Sequence, residues 1–180
     1  MIDLTKELDL EISEAESTSF LSSKKTVLLA TDHAGFELKE KIKSFLREQN
    51  YTVEDLGAFT YDEADDYPVY VHMAGKRVSA EPEKYVAIIF GGSGQGEAIV
   101  ANRYKNVRAV VCYEVKEDII KIAREHNDAN VLSLGSRFGL DESEAKEAVL
   151  KFLTTPFSGD ERHIRRIAQI DKEAITDNSF

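Results

Sequence analysis

Four glycines, one serine and one glutamate share the seven residues Gly91–Glu97, GGSGQGE. Glycines lack Cβ atoms, so backbone N–H groups can close on an anion without a clash. Ser93 adds a hydroxyl donor, and Glu97 adds a carboxylate able to accept a proton. An anion cradle with a base inside it suits a reaction in which a proton leaves carbon while charge develops on a nearby oxygen. A first-turn helix acid with no chemical duty would read the same way at Glu97.

Two commoner readings of a glycine loop fit poorly. A triphosphate-binding loop carries Lys and then Ser or Thr after its last glycine, but Gly96 is followed by Glu97 and Ala98. A dinucleotide fingerprint puts its third glycine where Glu97 stands. Only Glu114, ending the next apolar run at the distance of a ribose-binding acid, speaks for that reading.

The loop has to be held by the elements around it. Val86–Phe90 is a continuous apolar run, as in a strand buried on both faces, and Ala98–Arg103 continues with helix formers. Earlier in the chain, Val27–Ala30 and Tyr51–Leu56 read as strands, with an amphipathic helix over Phe36–Arg47 between them. Asp66-Tyr67-Pro68 reads as a helix start, continued over Val69–Ser79. Later come a strand at Val107–Cys112, a helix at Glu117–Arg124, a strand at Asn130–Leu134, and helices at Glu144–Leu153 and Asp160–Ala174. Strands alternating with helices predict an α/β fold. It is a three-layer, Rossmann-like, five-stranded parallel sheet with helices on both faces, in the flavodoxin-like order 2-1-3-4-5. In such folds ligands bind beyond the carboxyl ends of the strands. Here those ends are Asp32-His33, Gly91–Glu97 and Gly135–Arg137.

Composition narrows the function further. The chain has 180 residues and a formal net charge of −10, which disfavours a general nucleic-acid surface. Its one cysteine, Cys112, forms no internal disulfide and fits a reducing, cytoplasmic compartment as a small core residue. No apolar run approaches the roughly 18 residues of a membrane span. The four histidines, His33, His72, His126 and His163, show no metal-ligand spacing, so no metal is expected. Residues 1–25 form an acidic extension, expected to be mobile or loosely docked, and 26–180 a single domain. Ile2, Leu4, Leu8, Leu10 and Ile12 could instead pack that extension on a neighbouring subunit.

Six segments in order carry a resemblance. They are ATDHAG at Ala30–Gly35, DDYP at Asp65–Pro68, GGSGQGE at Gly91–Glu97, REHNDAN at Arg124–Asn130, LGSR at Leu134–Arg137 and RHIRR at Arg162–Arg166. Together they resemble the type B ribose-5-phosphate isomerase family, which includes galactose-6-phosphate isomerase subunits, over roughly Thr26–Asp171. The resemblance implies a cofactor-free, metal-free interconversion of ribose 5-phosphate and ribulose 5-phosphate through a cis-enediolate, in the pentose phosphate pathway. One branch of the family uses a Cys at the loop entrance as base. Here that position is Gly91, so the resemblance passes the role to Glu97, as in the branch that uses Glu. Ser93, with the N–H groups of Gly92, Gly94, Gln95 and Gly96, would hold the enediolate oxygen. By the same resemblance His126 opens the furanose ring across a dimer interface, with Asn127 beside it, and Asp32 and His33 contact the sugar or its phosphate. Arg137, Arg162, His163 and Arg166 would recognise the phosphate; Arg162 and Arg166 sit one helical turn apart. The implied assembly is a homodimer with the site at the subunit interface, its dimers able to pair into tetramers. Isomerisation of a six-carbon sugar phosphate, such as allose or galactose 6-phosphate, is the alternative enzyme reading. A sugar-phosphate-binding module without turnover is the alternative outside enzymes.

Overall fold

The computed structural model describes residues 25–115, 118–138 and 140–172. The expected extension, apart from Lys25, lies outside the described residues. Five strands form: β1 (Thr26–Thr31), β2 (Val53–Asp55), β3 (Tyr85–Gly91), β4 (Ala109–Cys112) and β5 (Val131–Gly135). The helices are α1 (Phe36–Glu48), α2 (Tyr67–Ala80), α3 (Gln95–Ala101), α4 (Ile119–Asn127), α5 (Glu142–Thr154) and α6 (Glu161–Ile170), with a short 3-10 turn at His33–Gly35. Every strand pairing is parallel. No helix among the described residues is long and apolar enough to cross a membrane.

The period-2 alternation of strand side chains divides the core in two. Leu28, Ala30, Ala87, Ile89 and Val131 pack against Val71, Ala74 and Val78 of α2 and Ala101 of α3. Val27, Leu29, Ile88, Phe90, Leu132 and Leu134 face the other way, onto Ile42 and Leu46 of α1, Ile120 of α4 and Val149 and Phe152 of α5. Ile88 and Ile89 are both fully buried, on opposite faces. Each contributes about 1.5–3 kcal/mol of burial. This two-sided packing explains why β3 reads as an unbroken apolar run.

The strand order is β2-β1-β3-β5-β4, so the last two strands exchange places relative to the 2-1-3-4-5 expected. Crossover handedness ties this order to the faces on which the helices pack. From β3 the chain moves outward over α3 to the sheet edge, and from β4 it returns inward to β5. A right-handed crossover that reverses direction must run over the opposite face. Accordingly α3 packs on the α2 side, and α4 packs on the side of α1 and α5. β5, buried along its whole length, takes the interior position, and β4, with Ala109, Val110 and Val111 half-buried, takes the edge.

Candidate active site

The sheet register brings three strand exits level. Thr31 pairs with Phe90, and Gly91 with Gly135. Ser136 joins the three loops that follow. Its Oγ lies 2.5 Å from the Ala34 carbonyl and 2.9 Å from that of Gly91, with one proton to share. The Ser136 and Arg137 N–H groups donate to the Gly91 and Gly92 carbonyls at 2.8 and 3.1 Å. Peptides are planar and trans, so the N–H groups of Gly92 and Ser93 point away from the β5 loop, as a cradle for an anion requires. The Ser93 hydroxyl accepts from the Gln95 N–H at 3.3 Å. The Gln95 side chain turns outward and donates to the Tyr113 hydroxyl at 2.9 Å.

Glu97 occupies the first turn of α3 and is only 4% exposed. It forms no ion pair among the described residues. Burial pushes its carboxyl above the usual range, its own backbone N–H opposes this, and the negative charge of Asp32 adds to the rise. A carboxylate destabilised in this way is a stronger base than one in water. A Cβ built at Gly91 would collide with the Glu97 carboxylate, so the glycine there makes room for the acid. Tyr67, at the start of α2, lies over the same turn: a Cβ at Gly96 would come within 2.7 Å of its hydroxyl.

Asp32 and His33 stand beside this turn. Asp32 is buried, and its Oδ1 accepts the Ala34 N–H at 2.9 Å. His33 is tied to Asp65, whose Oδ1 lies 2.8 Å from both its backbone nitrogen and its Nδ1. That hydrogen bond holds the imidazole above its ordinary pKa; burial and Arg137 oppose it, while the charges of Asp32 and Asp65 assist. His33, Ala34, Tyr61, Ser136 and Arg137 line a cleft of about 320 Å³. Ligating atoms of Asp32, His33 and Asp65 lie within 4.8 Å of one another, close enough to admit a cation, although their spacing along the chain gives no sign of it.

The remaining expected site residues are elsewhere. His126 lies in the last turn of α4, not beyond the helix, because α4 runs on to Asn127 and stops at Asp128, which has a φ of 45°. Arg108 Nε pins the turn from outside, donating to the Asn127 carbonyl at 2.8 Å, and within the turn Arg124 pairs with Asp128 at 2.9 Å. Arg108 precedes β4 and Asn127 precedes β5, so this corner is the amino edge of the sheet. It lies a full strand, roughly 16 Å, from the Glu97 edge. His163 stacks on His126 with ring centroids 4.3 Å apart. It is buried on α6, with Nδ1 2.9 Å from the Ser158 hydroxyl. Burial, then the neighbouring His126 and Arg162, push its imidazole below the ordinary value. Arg162 and Arg166 are exposed one turn apart on α6.

The structure thus gathers Asp32, His33, Gly92, Ser93, Gly94, Gly96, Glu97 and Arg137 at one edge, with the Gln95 side chain turned outward. It gathers His126, Asn127, Arg162, His163 and Arg166 at the other. Sequence reasoning missed Asp65 as the partner of His33, Tyr67 as the ring over the loop, and Ser136 as the tie between loops. The only signals were their places in the DDYP and LGSR segments.

Comparison with known proteins bears directly on this arrangement. A family model described as Ribose/Galactose Isomerase matches residues 27–170. Ribose-5-phosphate isomerase B of Mycolicibacterium paratuberculosis is 42% identical over 141 residues, covering 78% of this chain and 86% of the relative. The solved ribose 5-phosphate isomerase B of Anaplasma phagocytophilum superposes with a TM-score of 0.74 at 39% identity, covering 81% of this chain and 96% of that one. The Mycoplasma genitalium enzyme, solved with bound ribulose-5-phosphate, gives 0.76 at 36% identity, covering 81% and 93%. With the family match spanning most of its length and its fold shared with these isomerases, the chain belongs to the ribose/galactose isomerase family.

Proposed function

We propose that this chain interconverts ribose 5-phosphate and ribulose 5-phosphate, in the cytoplasm and in the pentose phosphate pathway. The observation that carries the reading is Glu97: a buried carboxylate with no cation paired to it among the described residues, in a loop whose Gly92 and Ser93 N–H groups point away from the β5 loop. Glu97 takes the proton from carbon 2 of the open-chain aldose. The electron pair moves into a carbon–carbon double bond, and the carbonyl oxygen on carbon 1 gains the charge. Ser93 and the N–H groups of the Gly92–Gly96 loop hold that charge. Glu97 then returns the proton to carbon 1 while the hydroxyl proton on the carbon 2 oxygen passes to the carbon 1 oxygen, and the carbonyl forms at carbon 2, so no cofactor or redox partner is consumed. Arg137, His33 and Asp32 contact the substrate from the same edge.

His126, with Asn127 beside it, opens the furanose ring from a second copy of the chain, and Arg162, His163 and Arg166 of that copy meet the phosphate. The homodimer reading is supported by the separation of the two edges and by Ile99, Ile119 and Ile122, which are exposed around the edge strand β4. Formation of ribulose 5-phosphate in the presence of a chelator tests the activity. Loss of turnover on chelation would overturn the metal-free mechanism. Six-carbon phosphates belong in the same assay, since the family includes galactose isomerases; a higher kcat/KM on one of them would reassign the substrate. A protein that binds the sugar but exchanges no solvent hydrogen into it would be a binding module. For the shared site, Glu97→Gln and His126→Ala proteins are mixed and allowed to exchange subunits. Recovered activity is expected, because a mixed dimer contains one site with neither lesion. No recovery would place each site within one chain.

A further inference from the structure

Asp65 stands in the loop before α2, 32 residues from His33, yet one of its oxygens meets both nitrogens nearest the His33 main chain. The carboxylate is an acceptor only, so the imidazole proton on that side must sit on Nδ1. The backbone N–H bond to the same Oδ1 fixes the carboxylate relative to residue 33. A ring flip would then break a charge-assisted bond. The Asp65 side chain is 9% exposed, and its second oxygen is buried, with the Tyr70 hydroxyl as a polar neighbour of the carboxylate. Little water is available to replace His33 if the ring turns away. The edge of the Tyr61 ring, 6.2 Å off, closes another side. Nε2 is left as the ring nitrogen open to a ligand in the cleft shared with Arg137.

We infer that Asp65 is a positioning residue of the isomerase site, fixing His33 with its Nδ1 proton turned inward and Nε2 presented to an oxygen of the sugar phosphate. The role of the presented nitrogen rests on the isomerase reading; the locked ring does not. The charged and titratable groups facing His33 are Asp32, with Oδ2 4.0 Å from Nδ1, Asp65 itself, Arg137 and Tyr61. Two carboxylates against one guanidinium keep the ring protonated to a higher pH than a free histidine.

Nitrogen-15 imidazole spectra of the unliganded protein test the lock, with the His33 signals assigned from a His33→Gln sample. The wild type is expected to carry its neutral-form proton on Nδ1 and to titrate above the ordinary histidine value. Asp65→Asn, nearly isosteric and able to fold, keeps an acceptor but no charge, so the titration moves down in pH. Asp65→Ala also loses the Nδ1 preference. In turnover, Asp65→Ala is expected to raise KM roughly 10- to 100-fold, the worth of a hydrogen bond to a charged group, with a much smaller change in kcat. The pH at which KM begins to rise on the alkaline side drops in Asp65→Asn. Unchanged His33 titration and tautomer in both variants would overturn the inference. So would a loss confined to kcat. A wild type that turns over no sugar phosphate would remove the isomerase reading, while the spectra would still decide whether Asp65 locks the ring.

Discussion

Two regions of this molecule bury charge, and they do it in opposite ways. Under the first helix, the Lys39 side chain is fully buried, yet its ammonium meets Asp55 at 2.7 Å and Glu40 at 2.9 Å. Lys43 adds contacts of 2.6 Å to both acids. Burial alone would raise the Asp55 carboxyl, but the two lysines outweigh it and hold the group below the usual range. At the Gly91–Glu97 loop the balance reverses. Among the described residues Glu97 is buried without a cation, and the charge that acts on it is that of another acid, Asp32. Satisfied charge under α1 holds the Asp55–Gly57 corner, where Asp55 also accepts the Gly57 N–H at 3.0 Å. Unsatisfied charge at the loop would keep Glu97 reactive as the base of the proposed isomerisation. Buried charge alone does not mark a site; whether it is paired does.

The contrast can be broken most sharply at Glu97. Glu97→Gln is expected to lower kcat by about 10³-fold or more with substrate still bound. The same variant is expected to melt at a higher temperature near neutral pH. The sign follows from the raised carboxyl: the fold is favoured while Glu97 is protonated, and that advantage is lost as pH rises through its folded value. Thermal scans should show the difference between the two proteins fading towards acid pH. A lower melting temperature for Glu97→Gln at neutral pH would contradict the picture of a strained acid. Lys39→Met is the mirror experiment. It strands Asp55 and Glu40 with only Lys43, so denaturant curves should show a loss approaching 3–5 kcal/mol, while kcat of the folded fraction changes little. Gly91→Ala puts a carbon where the Glu97 carboxylate lies and should cost about 10²-fold in kcat through displacement of the base. The smallest effect concerns pH. In kcat, the acid limb should lie above the ordinary glutamate value, and Asp32→Asn should move it down, because the Asp32 charge contributes to the rise.

The strands and helices were legible because each apolar run is bounded by turn residues and each helix keeps one apolar face. The exchange of the last two strands was not. Val107–Cys112 and Asn130–Leu134 are similar in length and hydrophobicity, and only the helix faces distinguish the two orders. At the site, the glycine loop and its glutamate are contiguous and could be read directly. Asp65 looked like one of several acids in a loop, because its partnership with His33 is set by the return of the chain to the β1 exit. Tyr67 read as the start of a helix for the same reason. His126 falls inside α4, past the Arg124 end read from the sequence, because the cap that ends the helix depends on Arg108 reaching in from the start of β4 and on the Arg124–Asp128 pair across the last turn.

The crowding between residues 91 and 97 has a consequence for how such proteins change. A side chain placed at residue 91 would enter the site from the strand, whereas the Glu97 carboxylate enters it from the helix. A chain moving from one solution to the other has no comfortable single step. Adding a side chain at 91 first jams the acid, and trimming 97 first leaves neither group in place. Conversion between the two designs, by mutation over generations or at the bench, therefore calls for a paired substitution made together.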